Sequence, residues 1–299
     1  MARRKALVTL AIGERYVADF VRDARAGWQA YADRHGYDLY VLTEPIDAKA
    51  TRALHWQKLL VGLVPGIRDY DHVVWLDSDV IINPHIAPCV VSQVDGDRIA
   101  VAETWDLITP TETMGRRFAQ CSVWFNTQVG AKRGPYDLTP RFDPAAPLTP
   151  DNQRPINTGL FVFRPAAHNA FLSEVYLKGY HNADDGSFEQ KWLSYEFQAQ
   201  DVVTYIDRRF NMTWGEYAAL HYPFLFDQAF VSAHPRVAAQ CVNTYYHNTF
   251  FSHFAGYRAH SITKGLLKVV SQDKEHVLQY LAPDFWRDRH AIFRGFDRG

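Results

Sequence analysis

Apolar residues recur along the chain with two different periods, and the switches between them predict alternating strands and helices. Lys5 to Ile12, apolar from Ala6 onward, reads as a first core strand, and Gly13 begins a turn. Val17, Phe20, Val21, Ala24, Trp28 and Tyr31 then fall at helical spacing within Val17 to Arg34, and Gly36 stops the helix. Tyr37 to Leu42 reads as a second strand. A second helix is predicted over about Ala53 to Val64, stopped by Pro65–Gly66. Val73, Val74, Trp75 and Leu76 form the next buried strand, and Ile99 to Ala102 another. This strand–helix–strand order builds parallel sheets.

The second half is less regular. Between Asp106 and Pro155 periodicity is lost, and six of the fifteen prolines cluster from Pro135 to Pro155. That texture predicts a long surface insertion at 106–155, which either carries specificity or is an inert excursion. Regular structure resumes over Ile156 to Phe163, followed by helices from Pro165 to Gly179 and from Ser187 to Gln198. Val202 to Ile206 fits a helix continuation or a strand equally well. Phe210 to His260 is aromatic, and the tail at 262–299 begins helical and becomes basic and aromatic. With no repeat or low-complexity linker, residues 1–299 read as a single α/β domain.

Composition narrows the function. The 299 residues are 47% hydrophobic and 22% charged, enough for a substantial core. A net charge of -1, from 32 basic and 33 acidic residues, provides no field for a polyanion and argues against nucleic acid. Cys89, Cys121 and Cys241 are odd in number and widely spaced, so they offer neither a disulfide framework nor a zinc pairing. Arg3, Arg4 and Lys5 precede an apolar run in the manner of a signal peptide, but the run is short, and Gly13, Glu14 and Arg15 interrupt it without a small-residue cleavage site. No stretch is long and apolar enough to span a bilayer. The expectation is a soluble, cytoplasmic protein. Trp286, Arg287, Arg289 and Arg294 in the tail form either a solvated face or a peripheral contact with the inner membrane face. Nothing in the sequence signals an oligomeric state.

The chemistry centres on Asp77 and Asp79, which end a buried apolar run and flank Ser78. In an extended chain residues two apart point to the same side, and two anions there are costly without a positive charge between them. A divalent cation is the simplest such charge; the alternative is a strand end whose acids face water. Late in the chain, His253 is followed by Gly256, which permits close backbone approach by a ligand, whereas His247 among its aromatic neighbours reads as a core residue. Two carboxylates and an imidazole favour Mn²⁺ over Mg²⁺, with Mg²⁺ as the second option.

These residues carry a resemblance. Leu76-Asp-Ser-Asp-Val-Ile-Ile82, after a helix containing Trp56-Gln-Lys58-Leu-Leu, resembles the metal-binding strand of retaining GT-A fold glycosyltransferases. The likeness is to the group typified by glycogenin and bacterial lipooligosaccharide galactosyltransferases, and to galactosyl/xylosyltransferases. Ile156-Asn-Thr-Gly-Leu-Phe-Val-Phe-Arg164, Gln198-Ala-Gln-Asp201, Asp207-Arg-Arg-Phe-Asn211 and His253-Phe-Ala-Gly256 resemble four further motifs of that group, in its order. The resemblance implies a GT-A, Rossmann-like fold with a mixed, mainly parallel sheet flanked by helices. It implies a metal held by Asp77, Asp79 and His253, and a hexose donor, a nucleotide diphosphate sugar such as a UDP-sugar. The acceptor would be a saccharide or glycolipid, and anomeric configuration would be retained.

Residue by residue, the resemblance implies that Gln200 and Asp201 face the reacting sugar. Thr9, Ala11 and Tyr16 would meet the base and ribose, and Asn157 and Gly159 the donor sugar. Lys58, Ser78, Gly256 and Arg258 would complete the donor site. Several open alternatives stand beside these roles: Asn157 as a turn cap, Gly159 as relief of strand crowding and Lys58 as a solvated helix lysine. Tyr257-Arg-Ala-His260 replaces the group's lysine–proline–tryptophan, leaving Arg258 or Lys264 to supply positive charge to the diphosphate. Trp105 and Trp214 are candidates for stacking on sugar rings. Two other classes remain open: a metal-dependent nucleotidyltransferase or phosphohydrolase, and a non-catalytic carbohydrate-binding protein.

Overall fold

The computed structural model describes residues 4–94, 96–104, 156–178 and 189–255. Its strands are β1 (Lys5–Leu10), β2 (Tyr37–Leu42), β3 (His72–Leu76), β4 (Val80–Ile82), β5 (Ile99–Glu103), β6 (Ile156–Phe163), β7 (Val203–Tyr205), β8 (Met212–Thr213) and β9 (Phe251–His253). Its helices are α1 (Glu14–Asp23), α2 (Arg25–His35), α3 (Pro165–Leu177), α4 (Gln190–Ala199), α5 (Trp214–His221), α6 (Gln228–Ala233) and α7 (Pro235–Asn248). A six-stranded sheet has the order β2-β1-β3-β6-β5-β7. Strand β6 is antiparallel to both β3 and β5, while the other pairs are parallel. The result is the expected mixed, mainly parallel sheet. A small second sheet has the order β4-β9-β8.

The strand sequences explain why helices cover both faces. Every residue of β3 and of β6 is buried, so each strand needs apolar partners on either side. Val73, Trp75, Phe161 and Phe163 point to one layer, where Trp56 and Leu59 of a 3₁₀ helix (Leu54–Leu63), Leu172 of α3 and Phe197 of α4 meet them. Val74, Leu76, Leu160 and Val162 point the other way, onto Phe20 of α1, Trp28 and Tyr31 of α2, and Phe251 of β9. Trp214, Tyr245 and Phe254 belong to a third cluster, contributed by α5, α7 and the residue after β9.

Several expectations change. The helix predicted over Val17 to Arg34 is two helices, because Ala24 leaves helical geometry at φ -119°. That break turns α2 so that Trp28 meets Phe20 edge-on, with ring centroids 5.1 Å apart. The helix predicted from Ala53 to Val64 is wound as 3₁₀ over Leu54–Leu63. Val202 to Ile206 resolves as edge strand β7. The aromatic stretch from Phe210 holds β8, α5, α6, α7 and β9, which its weak periodicity did not predict. The predicted insertion at 106–155 and the tail at 262–299 lie outside the described residues. Among the described residues, no helix is long and apolar enough to cross a membrane.

Helix α2 anchors the small sheet. Trp28 Nε1 donates to the Val80 carbonyl at 2.8 Å, and a Cβ on Gly27 would stand 2.7 Å from the Ile82 carbonyl oxygen. Gly27→Ala is therefore expected to destabilise the protein by about 1–3 kcal/mol through backbone displacement, although helix propensity alone predicts a gain of roughly 1 kcal/mol. Urea unfolding decides the sign: a higher midpoint for the alanine variant would contradict this packing.

Candidate metal centre

The end of β3 and the pairing of β4 with β9 build the site from segments far apart in sequence. Asp77 follows β3 directly, and its N–H donates to the Gly159 carbonyl of β6 at 2.9 Å. The chain turns at once, Val80 N–H donating to the Asp77 carbonyl at 3.1 Å, so Asp79 stands at the start of β4. Val80 pairs with His253 in antiparallel register, and Phe254 N–H donates to the Asp79 carbonyl at 3.3 Å. One ligand atom each from Asp77, Asp79 and His253 thereby come within 4.8 Å of one another. His253 Nε2 is 3.4 Å from Asp79 Oδ1. The imidazole is buried and the two carboxylates are partly open, so a cation here would keep positions for outside ligands. Two carboxylate oxygens and one imidazole nitrogen form a donor set that fits a divalent metal.

The surroundings hold these groups in place. Asp77 Oδ1 accepts from Lys58 Nζ and from Trp75 Nε1, each at 3.0 Å. Lys58 is buried, and its ammonium also donates to Glu189 Oε1 at 2.6 Å and to the Thr158 carbonyl at 3.2 Å. Burial alone would lower the Lys58 pKa, but Asp77 and Glu189 outweigh it and raise it above the ordinary lysine value. Burial likewise opposes the Glu189 charge, yet Lys58 and then His55 hold its pKa below the usual glutamate value. For His253 burial presses the pKa down, but Asp79, with Asp77 behind it, raises it overall. Its Nδ1 lies 2.8 Å from Asn211 Oδ1. Gly159 makes room for the ring: a Cβ there would stand 2.2 Å from His253 Cε1.

The structure brings together some of the predicted residues and separates others. Ser78 lies in the turn between the two acids. Thr9, near the end of β1, and Ala11, just after it, are buried at the same carboxyl end of the sheet, since β1 runs parallel to β3. Tyr16 is exposed on α1. Asn157 is buried on β6, and Lys58 is a buried ion-pair partner where a solvated lysine was the alternative. Gly256 and Arg258 lie outside the described residues, as do Lys264 and Trp105. Trp214 is buried in the third cluster and has no face to stack on a sugar, and His247 is exposed where a core histidine was expected.

Gln200 and Asp201 are not brought to the metal centre. Strands β5 and β3 run in the same direction, both being antiparallel to β6, and β7 runs parallel to β5. Asp201 precedes β7, and its carboxylate pairs at 2.5 Å with Arg98, which precedes β5. The pair therefore sits at the amino end of these strands, opposite the end that carries Asp77. Asp201 is exposed there and adopts φ 50°, a left-handed conformation that aspartate tolerates. The acid that reaches the centre, through Lys58, is Glu189, at the start of the helix whose far end bears Gln200. Sequence reasoning missed Glu189 and passed over Asn211 as part of a turn motif. The signal for Glu189 was present: an acid–amide pair also opens the predicted helix, eleven residues before its later counterpart.

No protein-family model matches the chain, and no curated protein does. Solved structures do resemble it. A glycosyltransferase involved in the glycosylation of the major capsid of PBCV-1 is 14% identical, with 88% of this chain and 99% of that chain covered and a TM-score of 0.48. The galactosyltransferase LgtC, in complex with donor and acceptor sugar analogs, is 14% identical over 94% of this chain and 99% of its own, with a TM-score of 0.46. Mouse xyloside xylosyltransferase 1 in its apo form is 11% identical over 84% and 97%, with a TM-score of 0.38. At these identities the likeness is confined to the course of the chain.

Two substitutions probe the local geometry. Gly159→Ala should displace the imidazole and weaken any divalent-cation binding at this site by at least about 10-fold, with the far-ultraviolet spectrum unchanged; unaltered affinity in calorimetry would contradict the packing. Lys58→Met should cost about 3–5 kcal/mol, because Glu189 would lose its buried cation. The pH dependence should also change sign once both cations beside Glu189 are removed. In the unaltered protein the Glu189 contribution is present above its ordinary pKa of 4.5 and lost as the pH falls through its lower folded value. When His55→Ala is added to Lys58→Met, so that neither cation remains beside Glu189, burial dominates, Glu189 binds its proton more tightly when folded, and acidification from about pH 7 to 5 should stabilise the double variant. Urea midpoints that fall over that interval would contradict this account.

Proposed function

We propose that this chain is a metal-dependent glycosyltransferase that moves a hexose from a nucleotide diphosphate sugar, in the first instance a UDP-sugar, to a saccharide or glycolipid acceptor. The observation that carries the reading is the meeting of Asp77, Asp79 and His253 at the carboxyl end of central strand β3. Ligand crevices in open α/β sheets lie at that end, and Thr9 and Ala11 reach it from parallel β1. The buried Thr9 hydroxyl has no hydrogen-bond partner among the described residues and is an unsatisfied donor and acceptor at this end of β1. The imidazole supports Mn²⁺ ahead of Mg²⁺. A divalent cation bound by these three side chains would offset the negative charge that develops on a leaving diphosphate.

The reaction we favour retains anomeric configuration by a same-face route. The acceptor oxygen bonds to the anomeric carbon as the bond to the phosphate oxygen breaks, the bonding pair leaves with the diphosphate, and a phosphate oxygen takes the acceptor proton. Lys58 and Trp75 fix Asp77, Asn211 holds the imidazole, and partial exposure of the two acids leaves a path for donor phosphates. A covalent route would need a free carboxylate beneath the sugar. Glu189 is already engaged by Lys58 and Thr158, and Asp201 lies at the other end of the sheet.

Turnover of a panel of nucleotide diphosphate sugars with oligosaccharide acceptors, with and without Mn²⁺, tests the proposal. Acceptor-dependent product that requires Mn²⁺ and is lost in Asp79→Ala is expected, with near-normal turnover in Asp201→Asn. Pyrophosphate formation or donor cleavage indifferent to acceptor would favour a nucleotidyltransferase or phosphohydrolase instead. Binding of glycans with no response to any nucleotide would favour the carbohydrate-binding reading.

A further inference from the structure

One residue ties the imidazole of the centre to the backbone of the central sheet. Asn211 is buried at the end of a tight turn (Arg208–Phe210), its N–H donating to the Arg208 carbonyl at 2.9 Å. Its side-chain Nδ2 lies 2.9 Å from the Asn157 carbonyl and 3.0 Å from Asn157 Oδ1. Its Oδ1 lies 2.8 Å from His253 Nδ1. Gly159 N–H donates to the same Asn157 Oδ1 at 2.8 Å, and Gly159 carbonyl accepts from Asp77 N–H at 2.9 Å.

Backbone groups cannot exchange donor for acceptor, so they dictate every assignment in this relay. The Gly159 N–H requires an acceptor, which makes the facing atom of Asn157 its oxygen. That oxygen and the Asn157 backbone carbonyl are both acceptors, so the atom of Asn211 facing them must be its NH₂. Asn211 Oδ1 is then forced towards His253, and only a protonated Nδ1 satisfies it. The proton on the neutral ring is thereby fixed to Nδ1, and the Nε2 lone pair is aimed at Asp77 and Asp79. Neutral imidazole binds metals through one nitrogen while the other donates a hydrogen bond that sets its orientation.

We propose that Asn211 is a positioning residue that selects the Nδ1–H tautomer of His253 and thereby presents Nε2 as a metal ligand. The inference rests on the metal-dependent reading above but makes a separate claim. The relay also links the two ligand-bearing segments, since Asp77 is held by the same Gly159 that orients Asn157. A shift of the 157–159 backbone would move Asp77 and His253 together.

Mn²⁺ titration calorimetry on the full chain, for the unaltered protein, Asp79→Ala and Asn211→Ala, provides the first test. Asn211→Ala is expected to weaken Mn²⁺ binding about 10–100-fold, the range for loss of a residue that orients a ligating histidine. The variant should retain the one-site stoichiometry of the unaltered protein. Equal affinity in Asn211→Ala, with binding still lost in Asp79→Ala, would overturn this inference and leave the metal-dependent reading standing. No Mn²⁺ binding by the unaltered protein would overturn both. A second measurement needs no variant and no metal, and covers the case in which Asn211→Ala fails to fold. Long-range ¹H–¹⁵N correlation of the histidine rings, at a pH where they are neutral, should give His253 a protonated Nδ1 and a bare Nε2. The reverse pattern would overturn the inference whatever the titration shows.

Discussion

The charge arrangement at the carboxyl end of β3 constrains most of the surrounding structure. Asp77, Asp79 and Glu189 bring three carboxylates to a region that burial makes hostile to charge, and Lys58 is the buried cation set among them. Lys58 pairs with both Glu189 and Asp77, and Asp79 lies beside the His253 imidazole. The fold thus separates its anions into a buried Glu189 held by Lys58 and a partly exposed pair, Asp77 and Asp79, near the imidazole. An arrangement of this kind gains little stability from the buried pair itself. Its value lies in holding Asp77 in one orientation.

That division of charge depends on backbone packing more than on side-chain chemistry. Strand β6 lies antiparallel beside β3, so Gly159 meets Asp77 directly and leaves space for a ring that arrives from β9. Strand β9 reaches that position because β4 reverses immediately after Asp79 and pairs with it. Helix α2 supports β4 from beneath through Trp28, and the cluster around Trp214 and Tyr245 supports β9. The second, small sheet is therefore the device that joins residues 77–79 to residue 253.

Much of the central sheet was legible because β1, β3 and β6 are apolar on both faces, a pattern that survives without context. The acid pair was legible because it ends such a run abruptly. The small sheet was not: β4, β8 and β9 have two or three residues each, too few to establish a period, and long-range pairing defines them. The same limit applies to Gln200 and Asp201: only strand direction shows that they precede β7 while Asp77 follows β3. Glu189 opens the same helix and contacts the centre through Lys58, a relation between residues over a hundred positions apart. Asn211 was visible as the end of a turn motif, yet its role depends on Asn157 and His253, neither of which is near it in sequence.

The central claim is that His253 Nε2 completes a metal centre with Asp77 and Asp79. Pulsed electron paramagnetic resonance of the Mn²⁺-loaded full chain tests it most directly, because a nitrogen bound to manganese leaves its own modulation in the echo. The account predicts modulation from one directly coordinated imidazole nitrogen, absent in His253→Ala. An all-oxygen environment in the unaltered protein, identical to that of the variant, would contradict it.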